Sequence, residues 1–151
     1  MQELNNYFVR KNEKIEDIPK EVTKINFCGY GNDMTQLCMD GEKFPKLQNI
    51  NIGVGCFKNV RKVKLEKMDE LLFIRLDSYN FINESMEEKN GELEIKNCPK
   101  LLLIEMYYKN FNNYKKFEMR DLNELIRLQI EGECFSKIEN IYIKGRKKHK
   151  K

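Results

Sequence analysis

The sequence predicts a β-rich repeat solenoid of about five coils, roughly 24 residues each, with two short parallel strands per coil and little helix. Three observations predict it. Phe57, Phe81, Phe111 and Phe135 each close the same pattern, L-x-x-I/L-x-I/L/M-x-x-x-x-F. Phe accounts for only nine of 151 residues, so four at one column far exceed chance. Each pattern is followed by a second alternating apolar run, and alternation over such short stretches is the strand period. Finally, the Leu that opens the pattern recurs at spacings of 24, 30 and 24 residues.

Along the chain, residues 1–19 do not repeat and hold Tyr7, Phe8 and Val9 as their main apolar cluster. They are expected to be an N-terminal cap or irregular segment, since the first coil of a solenoid needs a cover. The repeating body spans 20–145. It opens with a degenerate copy, Val22-Ile25-Phe27, that lacks the register Phe. Four full copies follow: Leu47-Ile50-Ile52-Phe57, Leu71-Ile74-Leu76-Phe81, Leu101-Ile104-Met106-Phe111 and Leu125-Leu128-Ile130-Phe135. Their second runs are Val60-Val63-Leu65, Leu93-Ile95, Tyr114-Phe117-Met119 and Ile138-Ile141-Ile143. The longer spacing marks a six-residue insertion between Asn83 and Gly91, rich in acids (Glu84, Glu87, Glu88). Stacked coils would form two parallel sheets around one narrow core, with the Phe column as an internal aromatic stack.

These residues resemble the BspA-type leucine-rich repeats, in which a V-x-x-I-x-x-x-A-F run is followed by C-x-x-L-x-x-I-x-I. The matching segments are "LQNINIGVGCFKNVRKVKL", "LLLIEMYYKNFNNYKKFEM" and "LIRLQIEGECFSKIENIYI". The small residue before Phe appears as Cys56 and Cys134, but as Asn80 and Asn110 in the middle copies. The resemblance covers roughly 20–145 and implies a right-handed leucine-rich-repeat solenoid of the horseshoe class, used for protein binding. It also implies long cell-surface arrays, from which this chain departs in length and in its longer period.

Composition narrows the class further. The net charge of +4 belongs to the end of the chain: Lys144 to Lys151 hold six Lys/Arg and no acid, leaving 22 basic and 24 acidic residues before them. Residues 146–151 are expected to be a disordered basic tail. No apolar run reaches the length of a membrane span and the first 20 residues are polar, so no export signal or anchor is read. Five cysteines without CxxC spacing argue against a disulfide framework and a zinc site, and for a reducing, intracellular setting, cytoplasmic or nuclear. A surface location is expected only for a piece of a longer exported protein. The cysteines are read as small buried hydrophobes.

Catalysis finds little footing. The single His is His149, in the basic tail, so the repeating body offers no His base. Gly29 to Asp33 (GYGND) is a turn cluster without the rest of a phosphate fingerprint. Carboxylate pairs such as Glu94 with Glu118, or Glu105 with Glu131, are inevitable among 24 acids. No enzyme activity, cofactor or metal is expected.

Binding is better supported. Aligned by column, the outward residues of the first strand read Gln48, Leu72, Leu102, Ile126, then Asn49, Phe73, Leu103, Arg127, then Asn51, Arg75, Glu105, Gln129. Leu72, Phe73, Leu102, Leu103 and Ile126 would form one apolar patch, with Arg75 and Glu105 as a cross-strand pair beside it. Such a patch commonly marks a protein or peptide partner's site. The alternatives are cover by Tyr7 and Phe8, or a side partly inside the core. The second strand's outward columns (Lys64, Glu94, Glu118, Tyr142; Glu66, Lys96, Arg120, Lys144) carry mixed charge, as a solvated face should. The tail residues Lys144, Arg146, Lys147, Lys148, Lys150 and Lys151 can attract nucleic acid or an anionic membrane by neutralising phosphates. No aromatic interleaves with them, and the plainer reading is a solubilising end that blocks edge-to-edge pairing. A third reading makes the chain a piece of a longer array with no separate role.

Overall fold

Alternation decides which side chains go inside. In β2 (Lys24–Phe27), β4 (Asn49–Ile52), β6 (Phe73–Leu76) and β8 (Leu103–Met106), the second and fourth residues are buried and the first and third are not. The same period runs through β3 (Gln36–Asp40), β5 (Lys62–Glu66) and β7 (Gly91–Lys96), and most of β9 (Tyr114–Arg120). Three further strands, β1 (Asn6–Phe8), β10 (Arg127–Ile130) and β11 (Asn140–Ile143), complete the set. The computed structural model describes residues 5–83, 90–136, 138 and 140–143. Apart from a three-residue 3-10 turn at Ile15–Asp17, the described residues contain no helix.

The strands form two wholly parallel sheets, in the orders β1-β2-β4-β6-β8-β10 (sheet A) and β3-β5-β7-β9-β11 (sheet B). From β2 onward the chain alternates between them, and buried side chains from both enclose one core. This arrangement is compatible with a repeat solenoid. Pairing follows the sequence columns: Asn49 lies beside Phe73, Phe73 beside Leu103 and Leu103 beside Arg127. The β7–β9 pairing carries a bulge: Gly91 pairs with Tyr114 and Glu92 with Lys116, so Lys115 is the extra residue in β9. Glu84, Glu87 and Glu88 lie outside the described residues.

The four register phenylalanines stack. Centroid distances are 5.0 Å for Phe57–Phe81, 4.7 Å for Phe81–Phe111 and 5.1 Å for Phe111–Phe135, with ring planes within 8°. Each has a left-handed backbone, with φ between 55° and 57°. That conformation costs a non-Gly residue about 1–2 kcal/mol. Burying the ring gains about 1.5–3 kcal/mol and ring contact about 0.5–1.5 more, so the stack wins. The column stops at Gly31: its neighbour Tyr30 accepts the Phe57 N–H just as Cys56 accepts that of Phe81. A Cβ on Gly31 would sit 2.5 Å from the Phe57 ring, which occupies that space.

Two further columns are internal amides. Asn80 Oδ1 accepts the Cys56 N–H at 2.7 Å, while Asn80 and Asn110 Nδ2 both donate to the Asp77 carbonyl. Two residues past the ring, Asn113 donates to the Ile82 and Asn83 carbonyls. Buried polar groups persist where they find such partners.

Candidate functional site

The outward face of sheet A divides in two. At its β1 end, Asn26 donates to Asn6 at 2.8 Å and Asn51 donates to Asn26 at 3.2 Å, a polar amide ladder. On β6, β8 and β10 the columns change character. Phe73 and Leu103 are register neighbours, preceded by Leu72 and Leu102, and all four are half-buried. Ile126, whose N–H donates to the Leu102 carbonyl, is 79% exposed. The five apolar residues picked out by column are thus brought together.

Their border is ionic. Arg75 Nε lies 3.6 Å from Glu105 Oε1, and its guanidinium sits 5.7 Å from the Tyr107 ring centroid. Tyr107 in turn donates its hydroxyl to Glu105 at 3.4 Å. Arg127 is exposed and Gln129 half-buried at the β10 edge. Column reasoning overlooked Tyr107, and also Tyr79 and Tyr108, which make an edge-on contact at 5.6 Å beyond the ends of β6 and β8. Tyr79 stands two residues before its Phe and Tyr108 three, so alignment on the rings hides the pair.

Tyr7 and Phe8 do not cover this patch. They lie in β1, paired with β2 at the far edge of the sheet from β10, and Phe8 is largely exposed. Residues 10–18 then run past the outer edge of β3, where Lys43 Nζ donates to the carbonyls of Glu16 (2.6 Å) and Ile18 (2.8 Å). Between this segment and β3 is a cavity of about 660 Å³ whose lining includes Lys11, Glu13, Lys14, Glu16 and Asp33. Glu13 organises its rim, accepting the Tyr7 hydroxyl with its carboxylate and the Tyr30 hydroxyl with its carbonyl. The bond to Glu13 raises the Tyr7 pKa, and burial raises that of Tyr30.

Sheet B presents the mixed-charge face expected of it. Lys96 lies 3.3 Å from Glu94 and 3.9 Å from Glu66, and Arg120 lies 3.1 Å from Glu118 and 3.9 Å from Glu94. Arg120 therefore sits between the carboxylates of Glu94 and Glu118, a pair that column spacing brings together. Glu105 stands opposite Gln129 rather than Glu131, and Gln129 donates to Glu131 instead. Among the described residues no cluster of three or more His, Cys, Asp or Glu is placed to hold a metal ion.

The cysteines correct one expectation. Cys56 and Cys98 are buried and Cys134 is half-buried, but Cys28 and Cys38 are exposed. Cys38 takes an outward turn of the alternation between buried Leu37 and Met39, and Cys28 occupies the outward turn position that Gly53 and Asp77 fill in later copies. Burial raises the thiol pKa of Cys56, Cys98 and Cys134, that of Cys98 to about 11, so all three stay protonated near neutrality. The basic residues Lys144, Arg146, Lys147, Lys148, Lys150 and Lys151 lie outside the described residues. No helix in the described residues is long and apolar enough to cross a membrane. Comparison of the chain with protein-family models, with curated proteins and with solved structures found no match in any of the three.

Proposed function

We propose that this chain is a right-handed leucine-rich-repeat solenoid of the BspA type, and a non-enzymatic scaffold that binds a protein or peptide through the outward face of sheet A. The observation that carries the reading is the grouping of Leu72, Phe73, Leu102, Leu103 and Ile126 at the starts of three adjacent strands, partly open to solvent, beside the Arg75–Glu105 pair. Tyr7 and Phe8, the cover considered from sequence, sit at the other edge of the sheet. In such a surface a few aromatic and aliphatic anchors dominate the binding energy, here Phe73 and Leu103, while the ionic border fixes orientation.

The test is selection of peptides from a random library on the immobilised chain, repeated with Leu103→Asp. Peptides enriched on the wild type should lose at least tenfold in affinity for Leu103→Asp, while that variant keeps the wild-type far-ultraviolet circular dichroism. If Leu103→Asp unfolds, the patch is core and the reading fails. Peptides that bind both chains equally place recognition elsewhere.

A further inference from the structure

We propose that the β10–β11 end of the two sheets is the face of an isologous dimer, in which a second copy of the chain continues both sheets by antiparallel pairing. The observation is an interior layer left open. Ile130, Ile141 and Ile143 stand in the columns that are buried in every earlier strand, yet Ile141 is 59% and Ile143 51% exposed. Among the described residues, β10 pairs only with β8 and β11 only with β9, so both outer edges keep unpaired backbone donors and acceptors. Open apolar edges of this kind invite pairing.

The occupant must match two strand edges and the apolar layer between them at once. Residues 144–151 (KGRKKHKK) contain no large apolar side chain and do not supply that. The opposite end of another copy does not fit either: β3 is screened there by residues 10–18, over a cavity lined by charged side chains. The same end of a second copy does fit. A two-fold axis normal to the sheets reverses each strand while keeping its inner side inward, so β10 meets its own copy and β11 its own.

Charge selects the register. Inward residues must face inward residues, which sets Leu128 opposite the second copy's Ile130 when the axis passes at Gln129. That register places Arg127 opposite the second copy's Glu131, twice over by symmetry. Arg127 and Glu131 are both exposed and lie on the outward side of the strand, where opposite charges directly across a pair are favourable. Across β11 the same parity allows Ile141 to stand opposite Ile143.

The inference does not rest on the peptide-binding reading, although Arg127 also borders the outward patch, and its readout is dimerisation rather than peptide affinity. Sedimentation equilibrium on the full chain tests it, with Arg127→Glu, Glu131→Arg and the double charge swap. Wild type should be a dimer, each single variant should weaken dimerisation at least tenfold, and the double swap should restore it. Circular dichroism of the single variants should match wild type, since both positions are exposed. A wild type that stays monomeric, a polydisperse head-to-tail series, or a double swap as weak as the singles would overturn the proposal.

Discussion

The register phenylalanines combine two opposing requirements at single residues. Each ring is needed inside, yet each backbone adopts a conformation that glycine accepts most readily. Substitution should separate the two. Phe111→Ala removes a ring stacked on both sides and should cost about 3–5 kcal/mol in urea unfolding. Phe111→Gly should cost no more than that, and about 1 kcal/mol less if the left-handed strain is fully relieved, reversing the usual order of Ala and Gly. A loss below about 1 kcal/mol for Phe111→Ala would show that the ring contributes little. The ring column was legible in the sequence because ring identity and spacing suffice to define it. The reason for its end was not: the sequence shows a first copy without the ring, but only the contact of Gly31 with Phe57 shows why the column stops there.

At the level of elements, the chain just past β3, β5, β7 and β9 packs in succession, Gly41 against Lys67 and the Asn97 N–H on the Arg120 carbonyl. A Cβ on Gly41, at the end of β3, would lie 1.8 Å from the Lys67 carbonyl oxygen, which is backbone and cannot swing aside. Gly29 meets nothing within 4 Å, although its φ is +55°. Gly41→Ala should therefore cost about 3 kcal/mol or more by forcing β3 and β5 apart, whereas Gly29→Ala should cost about 1 kcal/mol from conformation alone. Equal costs in thermal or urea unfolding would contradict this close approach. Most strands could be read from alternation, and the charge network on sheet B follows once the columns are aligned. Two strands could not. In β3 the outward Cys38 between inward Leu37 and Met39 breaks the apolar–polar alternation, and β1 is three residues long and pairs with β2.

Across the whole molecule, burial keeps several acidic groups neutral, which ties stability to alkaline pH. The Cys98 thiol rises from its ordinary 9.0 to about 11, and Tyr114, enclosed and donating to the Val60 carbonyl at 2.6 Å, rises well above 10.0. A folded-state pKa above the unfolded one means the native state holds the proton longer. Stability from these groups is complete below about pH 9 and declines as pH climbs toward the folded values. Cys98 alone should account for roughly 2–3 kcal/mol of that loss by about pH 11. Urea unfolding at neutral pH and near pH 10 checks the sign: rising stability in that window would refute it, and Cys98→Ala should flatten part of the decline.

Periodicity by itself determined that the chain makes short strands, which residues share a column, and that the rings fall on one line, because these follow from side-chain identity at fixed spacing. The tertiary structure alone decided how much of the sheet-A patch remains open, that Cys28 and Cys38 face outward, that residues 6–8 extend a sheet edge instead of covering the patch, and that the last inward isoleucines stay uncovered. Exposure is the reason for the division. It depends on neighbours brought in from 18 to 30 residues away, and no local pattern records which of them arrive.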